Sequence, residues 1–73
     1  MAYTAHADRW LRARRAKENL TQQELADRTG LSLRDIQRIE QGDLHMAYKK
    51  YVAVADYFHV MLDEMLFGEV EDV

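Results

Sequence analysis

The sequence predicts an all-α domain, a bundle of five short helices. Three observations carry that expectation. Apolar residues recur at three- and four-residue spacing along almost the whole chain. Proline is absent, and the β-branched residues are too scattered for the period-two alternation of strands. Helix start and stop signals punctuate the chain at short intervals.

The first helix is expected over 7–18, with Ala7, Trp10, Leu11 and Arg15 on one side, ending at Asn19, which tolerates a left-handed cap. The second starts at Thr21. Thr21 and Glu24 form a T-x-x-E capping box, in which hydroxyl and carboxylate each serve the other residue's amide. It runs to about Arg28 and stops at Thr29-Gly30, where glycine can take positive φ. Ser32 caps a third helix reaching Gln41 and ending at Gly42. A fourth, about 47–58, is expected to bury Tyr48, Tyr51, Val52, Ala55 and Phe58. A short fifth segment, VMLDEMLF, contributes Val60, Leu62, Met65 and Leu66, and the acidic tail, EVEDV, is expected to fray.

Seventy-three residues make one domain, 1–73, with its core about 7–67 and an acidic tail at 68–73. At this size folding buries only about 60% of the unfolded surface, so association would help stability. There is no cysteine, which removes disulfides and thiolate metal sites and fits a reducing cytoplasm. No apolar run is long enough to span a bilayer, and MAYTAHADRW lacks the pattern of a signal peptide.

The net charge of −3 argues against a nucleic-acid partner, but its distribution does not. All ten basic residues lie between Arg9 and Lys50, among only six acids, while six further acids follow from Asp56 onward. A basic body is joined to an acidic end.

The stretches TQQELADRTGLS and RDIQRIEQG have the form of two helices crossing through a tight turn. Ala26 is small where the second helix passes, Gly30 permits the turn, and Leu25, Leu31, Ile36 and Ile39 anchor both helices. At about 100° per residue, Arg34, Gln37, Arg38 and Gln41 share an arc of about 100°, opposite Ile36 and Ile39. Arg forks onto guanine O6 and N7, and Gln pairs with adenine N6 and N7. The plain alternative is a solvated face, since both residues are common on helix surfaces; the capped helix and glycine turn before it favour DNA reading.

These residues resemble the phage-repressor and Cro family of helix-turn-helix regulators, also called the xenobiotic-response-element family. The likeness runs from about Leu11 to Phe67 and includes LTQQELADRTGLS, the R-x-E of RIEQG and the later ADYFHVMLDEML. It implies a five-helix lambda-repressor-like DNA-binding domain, a transcriptional regulator with double-stranded DNA as its partner. Residue by residue, it implies base-facing positions at Ser32, Leu33, Arg34, Gln37 and Arg38. It implies phosphate contacts at Gln22 and Gln41, with Thr21 chiefly a cap and a secondary phosphate contact. Arg15 and Glu40 match a structural ion pair joining helices one and three.

Three positions depart from the family pattern: Asp43 replaces a common basic residue, Met46 a common proline, and His59 a common glycine. Asp43 weakens the expected backbone grip of the 43–46 loop, for which Arg9, Arg12, Arg14, Lys49 and Lys50 either compensate or stand as solvated charges. Asp35 has two open roles, accepting from a cytosine amino group or repelling wrong sequences.

Other chemistry finds little support. His6, His45 and His59 share no ligand spacing, so neither a metal nor a cofactor is expected. With no carboxylate pair set against a pocket and no glycine-rich phosphate loop, no enzyme is expected. Trp10 and the tyrosines read as core and rim residues rather than base-stacking platforms. The Met-rich end both closes the core and forms a subunit interface, through Met61, Leu62, Met65 and Phe67, with Met61 and Phe67 foremost. The expectation is a cytoplasmic homodimeric repressor, bacterial or phage-encoded, acting on a palindromic operator. Two alternatives stay open: an antitoxin that binds a toxin and represses its own operon, and a protein-interaction module without DNA binding.

Overall fold

A computed structural model describes residues 5–68. The tail residues 69–73, expected to fray, lie outside the described residues. Five helices follow in order: α1 (Ala7–Glu18), α2 (Gln22–Thr29), α3 (Leu33–Glu40), α4 (Tyr48–Tyr57) and α5 (Leu62–Phe67). All are α-helical, and no strand occurs among the described residues.

Local chemistry sets the boundaries. Asn19 closes α1 in left-handed geometry, φ 56°, as a residue tolerant of that region can. The Thr21–Glu24 capping box is complete: Thr21 Oγ1 accepts from the Glu24 amide at 3.0 Å, and the Thr21 amide donates to Glu24 Oε1 at 3.0 Å. Gly30, at φ 76°, ends α2 and lets the chain turn back. Helix α3 stops one residue short of the expected bound, at Glu40, with Gln41 as its C-cap.

Helix α1 packs on α3 and α5, α2 on α3 and α4, and α4 on α5. Leu11, Leu25, Ile36, Ile39, Val54 and Met65 are the large side chains fully enclosed between them. Trp10 meets Phe58 edge to face, with ring centroids 5.6 Å apart, and sits in the core as expected. His6 ties the two ends together. Its amide donates to the Leu66 carbonyl at 2.8 Å, and its Nε2 bonds the Gly68 carbonyl oxygen.

Two core expectations need correction. Tyr48 is 70% exposed, and Val52 is only half-buried. The buried stripe of α4 is Tyr51, Val54, Ala55 and Phe58. It begins at Tyr51, one turn after Tyr48, which is the first helical residue. Met65, expected at a subunit interface, is fully buried and unavailable to any partner. Helix α5 turns Met65 inward on the same face as the partly buried Leu62 and Leu66. Met61 and Phe67 point outward, 75% and 49% exposed.

The departures from the resembled pattern are accommodated by the fold. His59 adopts φ 57°, the left-handed geometry that a glycine takes most readily, and histidine is among the residues tolerated there. Met46 is buried and fills core space.

Candidate nucleic-acid interface

Helix α3 owes its position to both ends. Ser32 Oγ accepts from the Asp35 amide at 3.0 Å, and Asp35 Oδ2 accepts from the Ser32 amide at 3.3 Å, a second complete capping box. The pattern S-x-x-D, Ser32 to Asp35, carries this box in the sequence. At the other end, buried Glu40 is the centre of a polar cluster. Arg15 forks onto it, Nε to Oε2 at 2.6 Å and Nη2 to Oε1 at 2.9 Å. Gln22 Nε2 donates to the same Oε1 at 3.1 Å, and Arg12 donates to the Glu40 carbonyl. Arg15 also donates to the Leu20 carbonyl at 2.8 Å, so α1, the α1–α2 connection, α2 and α3 share one network. No buried side-chain nitrogen or oxygen among the described residues lacks a hydrogen-bond partner.

With Ile36 and Ile39 buried, the opposite face of α3 turns outward. Arg34 and Gln41 are exposed, Gln37 is half-buried, and none of these three side chains has a partner among the described residues. Ser32 is exposed but engaged as the cap, and Leu33 is half-buried. Thr21 is likewise exposed and engaged in its cap. Gln22 stands at the start of α2, half-buried, with one amide hydrogen committed to Glu40.

Arg38 differs from its neighbours. Its Nε and Nη2 both donate to Asp43 Oδ2, at 2.8 and 2.6 Å. Asp43 is itself fixed: its Oδ1 accepts from the His45 amide at 2.8 Å, its amide donates to the Arg38 carbonyl at 3.1 Å, and its carbonyl accepts from the Tyr51 hydroxyl. The carboxylate expected to weaken the loop is therefore a neutralised support.

Asp35 also needs revising. Its carboxylate serves the Ser32 amide and the Lys50 ammonium, 2.9 Å from Oδ1, a structural role that neither of its two expected roles included. The bond that decides this joins residues fifteen apart on different helices. Of the basic residues considered for backbone grip, Arg12 holds the Glu40 carbonyl and Lys50 holds Asp35. Arg14 pairs with Glu18 at 2.7 Å and lies over the Trp10 and Phe58 rings. Arg9 and Lys49 remain exposed and unpartnered among the described residues.

Three carboxylates at helix ends sit below their ordinary range. Glu24 is lowered by the Thr21 amide and hydroxyl, Asp35 by Lys50 and then Ser32, and Asp43 by the His45 amide and then Arg38. A carboxyl whose folded-state value is depressed contributes stability above its unfolded value, about 4, and loses it as pH falls through the folded value. The thermal midpoint should therefore be level with respect to these groups above about pH 5 and fall below about pH 4. The triple variant Glu24→Gln, Asp35→Asn, Asp43→Asn should start lower and fall less steeply, as thermal melts across pH will show.

Two capped helices crossing at a glycine turn, with the second presenting amide and guanidinium groups outward, define a helix-turn-helix protein. The chain belongs to the helix-turn-helix domain family, whose model matches residues 9–66. Its fold is similar to the crystal structure of a transcriptional regulator from Listeria innocua, with a TM-score of 0.73 at 21% sequence identity. That match covers 96% of this chain and 64% of the other, so this chain spans under two thirds of that protein's length. No curated protein matches the chain.

Proposed function

We propose that the protein is a sequence-specific, double-stranded DNA-binding transcriptional regulator, a repressor acting as a homodimer on a two-fold symmetric operator. The observation that carries this reading is the outward face of α3. Arg34, Gln37 and Gln41 stand there without partners among the described residues, while the apolar face is buried against the bundle. Unspent donors on a rigid helix are what major-groove reading requires. In this reading Arg34, Gln37 and Arg38 address base edges, with Ser32 and Leu33 at the helix entrance. Thr21, Gln22 and Gln41 contact phosphates, which position the domain without reading sequence.

The exposed Met61 and Phe67, with Leu62 beside them, form the subunit contact. A two-fold dimer would place half-sites about 34 Å apart or a multiple of that. Repression by occluding a promoter needs no further domain, and the setting is the cytoplasm of a bacterium or a phage host. No helix among the described residues is long and apolar enough to cross a membrane.

Arg34→Ala should lose about 1–3 kcal/mol of affinity for the selected site and relax preference at one base pair. Random duplexes should be affected much less. Fluorescence anisotropy on single-base variants of the site measures both quantities, and equal weakening on every sequence would remove Arg34 from the base-reading set.

A further inference from the structure

Arg38 and Asp43 form a built arrangement that the reading of α3 alone does not use. A guanidinium carries five N–H donors, and Asp43 engages only its side edge, through Nε and one Nη2 hydrogen. The end-on edge, Nη1 and the remaining Nη2 hydrogen, is the edge that forks onto guanine O6 and N7. The Arg38 side chain is 41% exposed, and its hydrogen bonds to Asp43 leave that edge unengaged among the described residues. The support is rigid, because Asp43 is held through its own amide, its carbonyl and its second carboxylate oxygen.

We propose that Asp43 is a specificity-determining residue, a buttress that aims the end-on edge of Arg38 at a base and withholds the same cation from phosphate. This inference rests on the DNA-reading role proposed above. Two physical consequences follow from the ion pair. The long Arg38 side chain is ordered before DNA arrives, so less conformational freedom is lost when a base contact forms. Its charge is also balanced locally, so Arg38 adds little to the attraction that every sequence shares. Removing the carboxylate should therefore lower discrimination while leaving, or raising, the affinity for DNA in general. A simple repulsive acid at this position would behave differently: its removal would strengthen binding to all sequences and leave base preference intact.

The test compares the wild type, Asp43→Asn, Arg38→Ala and the double variant on the selected duplex, on its single-base variants and on random duplex, at two salt concentrations. Asp43→Asn retains an acceptor for the His45 amide, and circular dichroism checks that it folds. Arg38→Lys, which keeps the charge and loses the planar fork, serves as a second variant. The expected result is a loss of about tenfold in preference at one base pair for Asp43→Asn, Arg38→Lys and Arg38→Ala alike. Random-duplex binding by Asp43→Asn should be equal or tighter and steeper in salt, and Asp43→Asn should change preference no further when Arg38 is already alanine. Base preference within twofold of wild type in Asp43→Asn would overturn the inference, whatever happens to overall affinity. A wild type that prefers no sequence would instead defeat the DNA-reading role itself, so the two failures are distinguishable.

Discussion

Glu40→Ala should cost about 3–5 kcal/mol of folding stability, a large share of the 5–15 kcal/mol typical of a whole domain. Glu40 is 5% exposed and accepts from Arg15 twice and from Gln22 once. Truncation leaves the Arg15 guanidinium facing a partly buried void without its counter-charge. The Gln22 amide loses its acceptor at the same time. Those uncompensated groups dominate the cost, because the net worth of an intact buried pair is small once desolvation is counted. A double variant with Arg15→Met and Glu40→Leu removes both charges and should recover most of the loss in urea denaturation. If the double variant were as unstable as Glu40→Ala, charge burial would not be the cause. The same pair of variants separates stability from positioning. The double variant should fold, yet hold α3 less firmly against α1 and discriminate less between DNA sequences.

Met65→Ala is expected to cost about 2–5 kcal/mol, the range for deleting a fully enclosed aliphatic side chain. Met65 lies where α5 closes on α1 and α4, with Leu62 and Leu66 packed against the same core. A six-residue helix has little propensity of its own to sustain it, so its stability comes from that packing. Met61→Ala makes the informative contrast. As a largely exposed residue it should change monomer stability by no more than about 0.5 kcal/mol while weakening self-association. Urea midpoints and sedimentation at several concentrations read the two effects apart. A Met61→Ala variant as unfolded as Met65→Ala would contradict the division of α5 into an inward and an outward face.

Much of the architecture was legible because its signals are local. Thr21 and Glu24 mark a helix start by chemistry confined to one turn, and Asn19 and Gly30 mark the ends by their tolerance of left-handed geometry. The stripe on α4 was less legible. In YKKYVAVADYF, valines and alanines alternate closely, so Val52 and Val54 are equally plausible inward residues until α2 and α5 are in place. Tyr48 repeats the spacing one turn too early, in the first turn of the helix, where it stays largely exposed.

At the candidate interface, residue type and spacing located the face of α3, but not which of its charges are already committed. Asp35 meets Lys50 through the packing of separate helices. Asp43 reaches back to Arg38 only because the chain reverses at Gly42, φ 88°. Asp43 read as a weakness and Asp35 as a specificity group, and both are structural supports for the basic side chains beside them.

The role proposed for the outward face of α3 is to read duplex DNA by sequence. Repeated selection of bound duplexes from a fully random library, at near-physiological salt, tests it most directly. Enrichment of one two-fold symmetric site is expected, with half-sites one helical turn apart or a multiple of that, and loss of preference at one base pair with Arg34→Ala. A library that emerges from selection as random as it began would contradict it.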